Sequence, residues 1–98
     1  MATKHYNIDH TRTVELLAPG DNVVVKSISL ANINSSNDIT VDLFIQKSLV
    51  GKFYFFKGLV IPKTLSLIYE TSFSNKANEF GLYIKCAGTS PTLDIIIN

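Results

Sequence analysis

An all-β fold, an antiparallel β-sandwich of jelly-roll or immunoglobulin-like type with seven to eight short strands, is what this sequence predicts. Three observations lead there. Apolar residues alternate with polar ones at period two in several short runs, most cleanly in "ITVDLFIQK". Turn-forming clusters such as "APGD", "NSSND" and "GTSP" separate those runs. No stretch sustains the 3.6-residue period of an amphipathic helix.

The elements follow in order. "YNIDH" alternates weakly, and "RTVELL" runs into "APGD", where Pro19 presets φ and Gly20 accepts a positive one. In "NVVVKSISLANI" the apolar phase slips. Val23 and Val25 are odd-numbered, Ile28 and Leu30 even, and Lys26–Ser27 stand between them. A strictly pleated strand cannot absorb that slip, so a β-bulge or a bend between sheets is expected there. Asn34, Ser35, Ser36, Asn37 and Asp38 form turns because their side chains bond nearby backbone. In "ITVDLFIQK", Ile39, Val41, Leu43 and Ile45 share one face; Phe44 lies on the other with Thr40, Asp42 and Gln46. Its ring is therefore expected to be reachable from outside the domain. "FYFFK", "VIP" and "TLSLIYE" follow, with Pro62 marking a strand start or an edge. "SFSNKANE" reads as the longest loop, with room for one helical turn, and "FGLYIKCA" and "LDIIIN" close the chain.

Ninety-eight residues suit one domain, 1–98, with residues 1–11 a candidate extended N-terminal arm. The 46% hydrophobic and 17% charged content is that of a folded chain. A formal charge of +1 gives no electrostatic reason for binding a duplex or an anionic membrane. No apolar run is long enough to span a bilayer, and "MATKHYNIDH" lacks the apolar core of a signal peptide. The single cysteine, Cys86, cannot form an internal disulfide and is expected to be buried and inert in the phase of Leu82 and Ile84.

Chemistry-bearing patterns are sparse. His5, Asp9 and His10 are potential ligands, but in an extended strand the two histidines point to opposite faces. A metal site needs three or four convergent donors, so no metal and no cofactor are expected. There is no nucleophile elbow, phosphate loop, dinucleotide fingerprint or zinc spacing. Asp42, Glu70 and Asp94 read as solvated strand residues rather than a catalytic pair. An enzyme is not expected.

Apolar residues out of phase with the core carry more information. "KFYFFK", Lys52 to Lys57, reads as a stacking platform for single-stranded nucleic acid or as a strand covered on both faces. The near-zero charge favours the second. Ile68 shares a face with Ser66 and Glu70, Tyr83 with Lys85, and Ile96 with Asp94. Together with Phe44, Phe53 and Phe55, and with His5 and Tyr6 of the arm, they make up a candidate interaction surface.

The runs "LLAPGDNVVVKSISLANINSSNDITVDLFIQK", "FYFFKGLVIPKTLSLIYE" and "FGLYIKCAGTSPTLDIIIN" resemble small β-sandwich virion proteins of tailed phages, above all those of T4-like marine cyanophages. The resemblance covers about residues 14 to 98: a Pro-Gly turn, a strand ending in "LAN", a Ser/Asn turn, a "V-x-L" strand and "IP" before "TLSL". One departure is Lys63–Thr64, where that turn would be expected to hold Gly. The resemblance implies an accessory structural subunit of the head, neck or tail. Such a subunit would assemble in the host bacterial cytoplasm and bind itself and other virion proteins through a sheet face and the arm. It carries over no catalytic or cofactor residue. Two other readings stand beside it: a carbohydrate-binding or fibre-type adhesin module, and a single-stranded nucleic-acid-binding barrel. A membrane is not among the expected partners, and nucleic acid is the least favoured of those named.

Overall fold

The computed structural model describes residues 4–76 and 79–98. They form eight strands: β1 (Lys4–Ile8), β2 (Arg12–Leu17), β3 (Ser27–Asn32), β4 (Ile39–Lys47), β5 (Gly51–Ile61), β6 (Ser66–Glu70), β7 (Gly81–Gly88) and β8 (Leu93–Ile97). Every strand pairing is antiparallel, in two four-stranded sheets ordered β1-β8-β3-β6 and β2-β7-β4-β5. The chain changes sheet at every connection except the β4–β5 hairpin. That order is a jelly roll, and it decides between the two sandwich types that alternation alone left open.

Alternation works as expected on the inner faces. Ile28 and Leu30 of β3 and Leu93, Ile95 and Ile97 of β8 meet Val41 and Leu43 of β4 and Leu82, Ile84 and Cys86 of β7 in one buried cluster. Fully burying an aliphatic side chain stabilises by roughly 1.5–3 kcal/mol, so this layer is the main support of the fold.

Departures from alternation are bulges. The phase slip at Lys26–Ser27 falls where both residues donate their N–H to the carbonyl of Asn98, at 2.7 and 3.1 Å. Two successive donors on one acceptor put an extra residue in the strand, which reverses the phase. Before the slip, Val24 makes an isolated bridge to Ser74, so the ladder strand begins only at Ser27. In β2 the register shifts between Glu15 and Leu17, and Leu16 and Leu17 are consequently both buried.

Strand β5 shifts twice against β4, between Val41 and Leu43 and between Leu43 and Phe44. Gly58 has a φ of 72° at the first shift and donates its N–H to Asp42 at 2.7 Å. Pro62 follows the last residue of this edge strand rather than starting one.

Residues 4–8 do not form a free arm. They are the edge strand β1, paired with β8 from Lys4↔Ile97 to Ile8↔Leu93, with Ile8 in the core. Residues 1–3 of the expected arm lie outside the described residues. The loop "SFSNKANE" makes no helical turn among its described residues, which exclude positions 77 and 78. Asn75 of this loop is buried; it accepts from Val23 N–H at 2.9 Å and donates to the carbonyls of Ala18 and Phe80.

Turn chemistry places the polar stretch after β3. The Asn34 carboxamide oxygen accepts from Ser36 N–H at 2.7 Å and Asn37 N–H at 3.0 Å. Asn32, only 2% exposed, accepts from Asn34 N–H and donates to the carbonyls of Asn37 and Ile61. The segment connects the two sheets.

Candidate functional site

The expected interface residues separate onto opposite faces of the sandwich, and two of them turn inward. On the outer face of the β1-β8-β3-β6 sheet, the register places His5 beside Ile96, Ile96 beside Ser29 and Ser29 beside Ile68. This row crosses all four strands. Ile68 is 68% exposed and Ile96 43%. The next row, Asn7–Asp94–Ala31–Ser66, is polar or small, and the Asn7 amide donates to Asp94. Ser29 between the two exposed isoleucines, and Ala31 beside it in the next row, leave a face without bulky side chains at its centre. A depression of about 400 Å³ occupies its β1–β8 end, lined by His5, Tyr6, Asn7, Asp94, Ile95 and Ile96.

The opposite face carries a second row, Glu15–Tyr83–Phe44–Tyr54, again one residue per strand. The Tyr83 and Phe44 rings stack with centroids 5.5 Å apart, and Tyr54 tilts against Phe44 at 5.3 Å. A Cβ at Gly81 would lie 2.7 Å from the Tyr83 ring, so its absence lets that ring lie along the sheet. Tyr83 donates its hydroxyl to Glu15 at 3.1 Å. Partial burial, then that bond and the Glu15 charge, push the phenol pKa up. Lys52 sits 4.6 Å from the Phe44 centroid and Lys57 5.1 Å from that of Tyr54.

Three sequence expectations are corrected here. Phe44 does point away from the core, as its phase requires, yet it is 4% exposed because Tyr54, Tyr83 and Lys52 cover it. Alternation fixes which face a side chain takes and not what neighbours lay over it. Phe55 is turned inward by the second β5 shift, against Tyr69 and edge-on to Phe73 at 5.8 Å. Tyr6 packs on the core and donates its hydroxyl to the Leu16 carbonyl at 2.6 Å. Phe53 remains 52% exposed, tilted against Phe80. "KFYFFK" therefore presents no single stacking plane.

Other chemistry is thin. His10 bonds Asp9 at 2.7 Å at the surface, and that bond lowers the Asp9 pKa. His5 lies away on the outer row. Among the described residues no three His, Cys, Asp or Glu side chains converge, and no helix is long and apolar enough to cross a membrane. Cys86 is fully buried, and burial pushes its pKa up to about 11.

No family pattern matches the chain, and no curated protein matches it. Solved structures do. The crystal structure of PirA is similar at a TM-score of 0.60 and 11% identity, covering 97% of this chain and 91% of that one. The Yersinia pseudotuberculosis-derived mitogen is similar at 0.55 and 16%, covering 99% and 83%. The likeness is one of fold. At such identities it extends to the sandwich and leaves surface chemistry to be argued from this chain's own residues.

Sequence reasoning missed Lys52, Tyr54 and Glu15 as members of the aromatic row. Their association depends on cross-strand register, which a single sequence does not display. It also passed over Leu49 and Val50 in "SLVGK", which are 105% and 57% exposed at the β4–β5 tip.

Proposed function

We propose that this protein is an accessory structural subunit of a tailed-phage virion, acting by non-covalent attachment rather than by catalysis. The observation that carries the reading is the His5–Ile96–Ser29–Ile68 row, an exposed strip across one whole sheet face. Isoleucines on a solvated sheet face contribute little to folding. Against a neighbouring subunit they become apolar anchors, and many copies on a lattice multiply a weak contact into a firm one. The resemblance to phage sandwich proteins supplies the setting, and the jelly roll is compatible with it.

The test is attachment of purified protein to particles that lack it. Ile68→Lys should keep its melting temperature within about 3 °C, since surface changes are usually worth less than about 0.5 kcal/mol. It should lower particle binding about tenfold or more. Unchanged binding by this variant would remove the row from the interface.

The aromatic row favours a second reading, an adhesin that stacks a sugar ring on Tyr54, which is 41% exposed beside Lys57. Glycan-array binding lost in Tyr54→Ala would support it. The single-stranded nucleic-acid reading loses its main support, because Phe55 and Phe56 pack against Tyr69 and the Phe44 ring is covered.

A further inference from the structure

Leu49 and Val50 form the most exposed apolar point of the described surface. The last rung between β4 and β7 is Gln46↔Gly81, so the hairpin beyond it extends past its neighbour. The turn is closed by Val50 N–H on the Lys47 carbonyl at 3.1 Å. Leu49 adopts a φ of 66° there, a conformation suited to Gly or Asn. Full solvent exposure of a leucine and left-handed backbone at the same residue both disfavour the isolated chain. Such strain is a pointer to function when something else holds the site in place.

The depression at the β1–β8 end of the other sheet is the complementary feature. It is apolar in its lining, with Ile96 on its wall and Asp94 at its margin. Among the described residues, neither Lys47 at the base of the tip nor Asp94 has an ion-pair partner. Tip and depression therefore match in two respects, apolar projection to apolar hollow and cation to carboxylate. They lie on different surfaces of the chain, one at a hairpin end and one on a sheet face.

We infer that copies of this chain join head to tail, the Leu49–Val50 tip of one seated in the His5–Ile96 depression of the next, with Lys47 facing the partner's Asp94. This rests on the assembly reading above and names the partner as a second copy. A contact between two different surfaces is heterologous, and repeats until it closes a ring or extends a filament. That is a geometry for a subunit repeated around a particle.

Sedimentation of three preparations tests it. The tip variant combines Leu49→Asn and Val50→Ser, with Asn suited to the left-handed position so that folding is spared. The hollow variant is Ile96→Lys, which sets a second cation against Lys47. Wild type should associate in a concentration-dependent way, and each variant alone should be at least tenfold weaker. Mixed one to one, the variants should recover a species of two chains and nothing larger, because each supplies the half that the other lacks. Several results would overturn the inference: a monomeric wild type, association untouched by both variants, or a mixture that does not recover pairing. Binding to anionic phosphatidylserine vesicles that is lost in the tip variant would overturn it too, assigning the tip to a bilayer. The depression shares His5 and Ile96 with the particle-binding row, but Ile68 lies outside its lining, so the Ile68→Lys particle assay distinguishes failure of the virion reading from failure of the head-to-tail contact.

Discussion

The Lys52 ammonium lies 4.6 Å from the centroid of the Phe44 ring and closes from above a phenyl group that points away from the core. Tyr83 and Tyr54 close it from the sides. Phe44 thus occupies a small second core on the outside of the β2-β7-β4-β5 sheet. Cation–π contacts at partly desolvated sites are worth about 0.5–2 kcal/mol, and aromatic pairs about 0.5–1.5 kcal/mol beyond their burial.

Phe44→Ser should therefore destabilise the fold by about 3 kcal/mol, in the range for truncating a buried aromatic. A chemical denaturation curve should show the lower midpoint, and Lys52→Ala should show a smaller loss of about 1 kcal/mol. A Phe44→Ser protein as stable as wild type would mean that the covering side chains do not stay in place.

Asn32 ties three segments together through bonds to Ile61, Asn37 and Asn34. Asn32→Leu should cost about 2–3 kcal/mol, since buried backbone carbonyls and an amide lose their partners. Thermal melting of the variant gives the value, and a shift below about 3 °C would contradict the clamp role.

Thr64 holds a φ of 63° in the turn closed by Leu65 N–H on the Pro62 carbonyl. The equivalent position in the Ala18–Asp21 turn is Gly20, with a φ of 87°. A β-branched residue is the costlier occupant. Thr64→Gly should raise stability by about 0.5 kcal/mol after the added chain entropy of Gly is counted. Calorimetry should register a rise of a few degrees, and a fall would show that the Thr64 hydroxyl bond to Lys63 matters more.

Cys86 has its pKa raised by burial from 9.0 to about 11. Between those values the unfolded thiol loses its proton while the folded one keeps it, so stability falls as pH rises through that window. Cys86→Ala should show a shallower decline than wild type does between those two values. Native Cys86 should also react slowly with a thiol reagent until denaturant is added; fast labelling would contradict its burial.

Most of the fold was legible because period-two alternation and turn residues are local signals. "ITVDLFIQK" displayed both faces of β4, and Lys26–Ser27 marked the bulge by its phase slip. The departure at Lys63–Thr64 marked a turn that does adopt a left-handed residue. The site was less legible. Whether Phe44 is bare or covered depends on Tyr54 and Tyr83, which reach it through register across β5 and β7. Phe55 faces inward through a register shift that "FYFF" cannot reveal. Ile68 and Ile96 were found singly by phase, but their common row is a product of the jelly-roll strand order.

Imaging of the virion at a resolution that resolves strands is the decisive measurement for attachment through the sheet face. Attachment through the sheet face requires density for this sandwich in repeated copies, with the outer face of β1-β8-β3-β6 against a neighbouring subunit and Ile68 covered. Particles that lack the protein, or copies in which that face meets only solvent, would contradict it.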